Sequence, residues 1–184
     1  LLMKRMLFYI LLCFILAIIG HGYVIYRFIN EGVLFTGPND GMEQMIPMQM
    51  YLYDKWSQGQ WFYATDFGLG GDFFTDLSYY FSTNILFILN VIFIFLIKLA
   101  IDWDTQDIMF WMTNAIVLSI FKSTLAMLAT FGFVRYITQN KSIAVLTSYL
   151  FVISPLYFRF TVYWPFFSDI FILLPLLLWS IELF

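Results

Sequence analysis

The aspartate Asp40 stands where the chain leaves its first long apolar run, directly after the stretch Phe35-Thr-Gly-Pro-Asn. The amphipathic segment Met42 to Tyr53 follows it. A carboxylate that lies at a membrane surface under aromatic side chains loses part of its hydration, and such a group can act as a general base. The same position also suits a helix N-cap, which contributes about 1 kcal/mol and carries no chemistry. The residues alone favour neither role.

Three further charged side chains lie in or beside apolar segments. Lys122 falls inside the run from Ile108 to Phe133, where a charge costs several kcal/mol unless it is paired or reaches an interface or cavity. We therefore expect an anionic partner near Lys122, either a loop aspartate or a bound phosphate. Arg159 could hold a phosphate, although snorkelling to the membrane interface is the simpler explanation. Asp169 precedes the last apolar run and is expected either to cap a helix or to face the same side as Asp40.

Other kinds of site find less support. The single histidine, His21, has no second histidine with which to build a zinc site or a nucleophile pair, so a helix-packing or an interfacial role is expected. The segment Asp102-Trp-Asp104 is similar to the cation-binding pair of soluble glycosyltransferases, but it lies in a short connector and favours a solvated loop. A single cysteine and a net charge of −3 exclude a disulfide scaffold and a nucleic-acid binder. No metal-ligand set is predicted, and a divalent cation is the only cofactor considered.

The composition determines which elements must position these groups. Of the 184 residues, 62% are hydrophobic and 11% are charged, whereas soluble domains have about 45–50% and about 25%. The chain is therefore predicted to be a membrane protein. Because it stops inside an apolar run, we expect it to be the N-terminal part of a longer protein. Runs that approach the roughly 20 residues of a membrane-spanning helix are residues 6–29, 81–101, 108–133, 143–160 and 165–184.

Residues 30–80 are predicted to form one structured external loop of a single membrane domain that comprises residues 1–184. This loop is acidic and rich in aromatic residues, which suit the membrane interface. Within it, Gly41 to Ser57 is predicted to be a helix with Asn39 or Asp40 as its N-cap. The segment from Asp66 to Asp72 contains three glycines and is expected to form a tight turn that lets a ligand approach the backbone.

The direction of the chain through the membrane depends on residues 81–101. Lys4 and Arg5 place the N-terminus in the cytoplasm and the loop outside. If residues 81–101 crossed fully, the basic turn from Arg135 to Lys141 would be outside, against the positive-inside rule. The favoured alternative keeps residues 81–101 on the outer side as a re-entrant or juxtamembrane helix. Asp102 to Asp107 would then be external and Arg135 to Lys141 cytoplasmic.

An ordered series of short motifs resembles the N-terminal part of the bacterial YfhO membrane protein family. The resemblance extends over nearly the whole chain. The family is similar in plan to the GT-C glycosyltransferases, multi-helix enzymes that take a sugar from a polyprenyl-phosphate carrier and act outside the membrane. The motifs are Asn39-Asp-Gly-Met-Glu-Gln-Met-Ile-Pro, Asp66-Phe-Gly-Leu-Gly-Gly-Asp, Tyr79-Tyr-Phe-Ser-Thr-Asn and Asp169-Ile-Phe-Ile-Leu-Leu-Pro-Leu.

This resemblance implies an all-α, polytopic, GT-C-like helix bundle in the bacterial plasma membrane. It implies transfer of a sugar from a lipid-linked donor to a cell-envelope glycopolymer, for example one of the teichoic-acid type. Asp40 matches the expected catalytic base, and Asp169 matches a second catalytic carboxylate after the fourth segment. We expect the two to lie on one side of the membrane and to line one cavity. Lys122 matches a basic position, for which we infer phosphate contact. The other candidate substrate-binding residues are Arg159, Asp66, Asp72 and Tyr79.

A membrane transporter or a scaffold subunit of cell-envelope assembly is the alternative, in which the same charges line a path or an external loop docks another chain. Transport would tolerate Asp40→Glu because the charge is kept. A base positioned to remove a proton would not tolerate it.

Overall fold

The computed structural model describes residues 2–184, and most of them are helical. Two short strands, β1 (Tyr63–Ala64) and β2 (Gly71–Asp72), pair antiparallel. Short π-helical segments at Asp40–Met45 and Ser78–Ser82 and a 3₁₀ turn at Phe167–Asp169 lead into longer elements. The α-helices are α1 (Leu2–Gly20), α2 (Gly22–Glu31), α3 (Ile46–Ser57), α4 (Phe73–Asp76), α5 (Ile85–Lys98), α6 (Ile108–Thr138), α7 (Lys141–Val152), α8 (Pro155–Tyr163) and α9 (Ile170–Leu183).

Among residues 2–184, α6 is the one helix that by itself is long and apolar enough to cross a membrane. Its 31 residues correspond to about 45 Å, against a hydrocarbon core of about 30 Å. Two pairs of consecutive helices meet the same criterion only as pairs: α1 with α2, bent by 48°, and α7 with α8, bent by 43°. The described chain thus has up to three spans. α5, with 14 residues, reaches about 21 Å.

The two bends have local causes, and they lie against each other. The first follows Gly20, and the second comes where Ser154 caps a new helix that Pro155 begins, since proline has no N–H with which to continue the preceding helix. A Cβ atom at Gly20 would lie 2.9 Å from the side chain of Ile153, so a larger residue at position 20 would force one of the two to shift. The two bends therefore contact each other through Gly20 and Ile153.

The chain forms two compact units. The first comprises the chain up to Phe35 together with Ala115–Phe184. Its core contains small residues of α1, the middle of α6 and large side chains from α7, α8 and α9. Small residues at helix interfaces let backbones approach closely, as is usual for helices packed in a membrane. The core residues are Cys13, Ala17, Ala126, Met127, Val152, Tyr157 and Phe171.

The second unit is Thr36–Asn114. Its centre is Trp111, which is fully buried and donates its indole N–H to the carbonyl oxygen of Thr105 at 2.9 Å. Tyr53 of α3 packs edge-on against this ring, with 5.6 Å between the ring centroids. The connector between α5 and α6 is thereby held against α3.

The helix predicted for residues 41–57 is confirmed, with the difference that its first part is π-helical. Asn39 occupies the predicted N-cap position at φ 60°, but its side chain makes no capping hydrogen bond. The predicted glycine turn is also confirmed as the loop of the β1–β2 hairpin. Gly70 has φ 97°, and a Cβ atom there would lie 2.5 Å from the hydroxyl oxygen of Tyr63. The turn therefore requires glycine at this position.

Candidate active site

A buried ion pair joins Lys122 of α6 to Asp169, just before α9. The distance from Lys122 Nζ to Asp169 Oδ1 is 2.6 Å, and the two side chains are 4% and 15% exposed. The lysine also donates to the carbonyl oxygen of Pro165 at 2.8 Å. The anionic partner expected for Lys122 is thus confirmed, and it is the loop aspartate Asp169.

The loop that carries Asp169 is shaped by its own sequence. Trp164 ends α8 with φ −141° and ψ 73°, outside the helical region, which is disfavoured for a residue that precedes proline. The hydroxyl of Ser168 donates to the carbonyl oxygen of Pro165 at 2.6 Å. Asp169 stands at the N-cap position of α9, but its side chain makes no capping hydrogen bond. Its carboxylate is directed instead to Lys122, so its role is not that of a simple helix cap.

This arrangement provides a cation with a replaceable partner. An unpaired ammonium in a buried position is strongly unfavourable, so the charged form of Lys122 requires an anion beside it. Asp169 is the more exposed member of the pair, and it lies on a loop rather than in the middle of a helix. A phosphate that entered beside Lys122 could therefore take the place of the carboxylate and keep the charge compensated.

A second buried polar group lies in the same unit, around His21 at the first bend. Its Nδ1 lies 2.8 Å from the carbonyl oxygen of Ala17, and its Nε2 lies 2.7 Å from the hydroxyl of Ser119. Because a carbonyl only accepts, Nδ1 carries the proton, and Ser119 donates to Nε2. Tyr157 in turn donates to the backbone carbonyl of Ser119 at 2.7 Å. The expected packing role of His21 is confirmed, since the ring is 1% exposed and links α1 to α6.

Asp40 belongs to the other unit and begins the π-helical segment before α3. It is partly buried and stands next to Gly41, which is buried. The predicted cavity shared with Asp169 stays a prediction, as does the role of Asp40 as a base.

Asp66 fastens the glycine turn to α3. One of its carboxylate oxygens accepts from Lys55 Nζ at 2.6 Å, and the other accepts from the Tyr51 hydroxyl at 3.2 Å. The hydrogen bond from Lys55 holds the pKa of this carboxyl below its ordinary value. The ammonium of Lys55 also lies 5.3 Å from the centre of the Tyr51 ring. In this structure Asp66 positions a loop, and the predicted contact with substrate is untested.

The other predicted substrate-binding residues are at separate places. Asp72 is the N-cap of α4, and its carboxylate accepts from the backbone N–H of Thr75 at 3.1 Å and from its hydroxyl at 2.7 Å. These bonds lower the pKa of Asp72. Tyr79 and Arg159 are exposed. Contact of these residues with a substrate stays a prediction.

The described residues, 2–184, contain no group of three or more histidine, cysteine, aspartate or glutamate side chains arranged to hold a metal ion. The Asp102-Trp-Asp104 segment is exposed, and Asp104 accepts a hydrogen bond from the backbone N–H of Gln106 at 2.9 Å. This is the geometry of a solvated loop, as expected.

Two features of the site were not predicted from sequence. Lys55 is 7% exposed, but it lies in a polar segment where a lysine gives no signal of burial. Ser119 and Tyr157 contact His21 across large separations in the chain, and no local pattern indicates such pairs. A single histidine inside an apolar run is a signal that some polar partner must exist, although it does not identify which.

Comparison with known proteins identifies a protein family that this chain matches. A family model described as "Bacterial membrane protein YfhO" matches residues 13–184. A Bacillus subtilis (strain 168) protein named YfhO is 33% identical over 168 residues, which cover 91% of this chain. The chain spans 19% of that protein's length. No solved structure matches.

Proposed function

Since the chain belongs to the YfhO family of bacterial membrane proteins, we propose that it is the N-terminal part of a GT-C-type glycosyltransferase. In this proposal the whole protein is a multi-pass protein of the plasma membrane. It moves a sugar from a polyprenyl-phosphate carrier to a cell-envelope glycopolymer on the outer face. This part of the chain binds the phosphate of the donor.

The buried pair of Lys122 and Asp169 is the observation that supports the proposal. A buried ion pair can have a purely structural role, but a hydrophobic pair of similar volume is often at least as stable. Ionisable groups inside membrane helices therefore point to function. A lysine paired with a loop carboxylate at 2.6 Å is suited to a substrate that brings its own negative charge.

The reaction assigns one role to each group. The acceptor hydroxyl attacks the anomeric carbon, the bond from that carbon to the carrier phosphate breaks, and the new glycosidic bond forms. The electron pair of the broken bond stays on the leaving phosphate, which Lys122 neutralises. The proton of the hydroxyl passes to Asp40 as general base. Direct attack with one base inverts the anomeric configuration.

The experiment compares Lys122→Met with Lys141→Met in the full-length protein. Lys122→Met keeps the length of the side chain and removes the charge, so the KM for the lipid-linked sugar should rise at least tenfold. Lys141 is exposed at the start of α7, and its replacement should leave the KM unchanged. Membranes that contain each variant are assayed for consumption of a labelled polyprenyl-phosphate sugar at limiting donor. Transfer at the wild-type rate by Lys122→Met would overturn the role of Lys122.

Asp40 is tested in the same assay. Asp40→Asn should reduce kcat by about 10²–10⁴, and Asp40→Glu should not restore it, because the longer side chain moves the carboxylate away from the hydroxyl. If wild-type membranes consume no lipid-linked sugar and Asp40→Glu keeps the protein's physiological activity, the transporter alternative replaces this proposal.

A further inference from the structure

A polar cleft of about 410 Å³ opens within the second unit, where the end of α3 meets the connector between α5 and α6. This volume lies in the usual range for small-molecule sites, about 300–1,000 Å³. Neither Lys122 nor Asp169 belongs to it. The Asp102-Trp-Asp104 segment, to which the proposed reaction gives no role, forms one side.

A hydrogen-bonded frame of two amides on one carboxylate forms part of the wall. The side chain of Gln106 donates to Asp54 Oδ1 at 3.1 Å, and the side chain of Gln58 donates to Asp54 Oδ2 at 2.8 Å. Each amide has a second N–H and a carbonyl oxygen in addition. The frame therefore brings donors and acceptors to the wall of the cleft, as a ligand with several hydroxyl groups requires.

Trp103 adds an apolar surface to this polar wall. Its side chain is 41% exposed, and its ring packs on Phe110 with 5.7 Å between the centroids. A large aromatic ring that is held from one side and remains accessible suits a ligand with both an apolar face and polar edges. A sugar ring has this form, with C–H groups on its face and hydroxyls around its rim.

The charges of the cleft select among such ligands. Asp54, Asp102 and Asp104 line it together with one cation, Lys98, which donates to the Thr105 hydroxyl at 3.1 Å. The excess of carboxylates repels a phosphate or a carboxylate group and admits a neutral or positively charged one.

We propose that this cleft binds a sugar that is uncharged or carries an amine. The inference rests on the proposed function in one respect: a glycosyltransferase handles a sugar on both its donor and its acceptor. The cleft recognises the sugar itself, whereas Lys122 recognises the phosphate. Binding in the cleft therefore persists in a protein that cannot transfer.

The test titrates the full-length protein, in detergent, with glucosamine, glucose and glucose 6-phosphate, and measures binding by calorimetry. Glucosamine and glucose should bind at least tenfold more tightly than glucose 6-phosphate. Trp103→Ala should weaken their binding at least tenfold. Trp61→Ala should not weaken it, because Trp61 is also exposed, at 57% against 41% for Trp103, but lies outside the cleft. Absence of saturable binding, or equal loss in both variants, would overturn the proposal.

A second variant, which reverses the charge of Asp102, tests the electrostatic argument without a change in protein stability. Asp102 is exposed, so Asp102→Lys should fold normally. It should raise the affinity for glucose 6-phosphate and lower that for glucosamine, each at least threefold. Unchanged affinities for both probes would contradict the electrostatic argument.

Two further experiments show whether the sugar in the cleft belongs to the donor or to the acceptor, and they distinguish the cleft proposal from the phosphate role of Lys122. In the full-length protein, a rise in KM for the acceptor alone in Trp103→Ala assigns the cleft to the acceptor, and a rise for the donor alone assigns it to the donor. If both KM values stay unchanged, the cleft has no part in transfer and the inference fails. If Lys122→Met retains wild-type transfer while glucose still binds the cleft, the proposed phosphate role fails and the cleft stands.

Discussion

The buried pair of Lys122 and Asp169 makes a quantitative prediction about stability. Asp169→Asn leaves the ammonium of Lys122, which is 4% exposed, without its anion at 2.6 Å. Removal of one partner from a buried pair costs about 3–5 kcal/mol. Lys122→Met should cost less than Asp169→Asn, because the remaining carboxylate is 15% exposed and water reaches it more easily. The double variant should be more stable than Asp169→Asn alone.

Reversible unfolding of the chain in mixed micelles with increasing denaturing detergent measures these differences. The free-energy loss of the double variant should fall short of the sum of the single losses by about 2 kcal/mol, within the range for residues in contact. The pair Arg27 and Glu31 is the control, since its atoms also lie 2.6 Å apart but its side chains are 40% and 44% exposed. Its removal should change stability far less. Additive losses, or a loss no larger than the control's, would refute the reasoning.

Three further predictions concern topology and the external hairpin. A cysteine at Thr138 should resist a membrane-impermeant thiol reagent in intact cells, and one at Asp102 should react. The reverse pattern would contradict the placement of residues 81–101 on the outer side. The hydrogen bond from Lys55 lowers the pKa of Asp66. Its stabilising contribution is therefore complete above the ordinary value of 3.8 and is lost as the pH falls through the lowered pKa. The titration of the carboxyl carbon shift should show that low midpoint, and Lys55→Met should raise it. Gly70→Ala should cost about 1 kcal/mol or more, because φ is 97° and the Cβ meets the tyrosine hydroxyl; faster proteolysis in the 66–72 turn measures this, and an unchanged rate would contradict it.

The long helices could be predicted because they depend on composition, whereas their breaks were not predicted. The apolar run from Ile108 to Phe133 predicts α6 to within a few residues, and the helix continues to Thr138 because its polar end still forms backbone hydrogen bonds. The breaks at His21 and Ser154 do not interrupt the apolar runs that contain them. The serine and proline at the second break are a signal that could have found it. The first has only glycines on either side.

The sequence predicts a site residue only where the free-energy cost of burying it is visible from its neighbours in the chain. An ammonium in an apolar helix implies a counter-charge, and the sequence therefore predicts that Lys122 has a partner. Which aspartate provides it depends on the path of α8 and the turn after it, which no local pattern records. Lys55 shows the opposite case, because its burial comes from the packing of Tyr51 and the hairpin. For a lysine in a polar segment, the sequence gives no sign that the side chain is buried.

The bend between α7 and α8 has a consequence for how the protein enters the membrane during synthesis. α7 has 12 residues and α8 has 9, so the two correspond to about 18 Å and about 14 Å, and neither crosses the bilayer by itself. If the two helices form one broken span, the insertion machinery must hold the first half until the second has emerged from the ribosome. A change at Ser154 or Pro155 acts during this interval, before any tertiary contact exists. It should alter the fraction of chains with the correct orientation, even where the stability of the finished protein is unchanged.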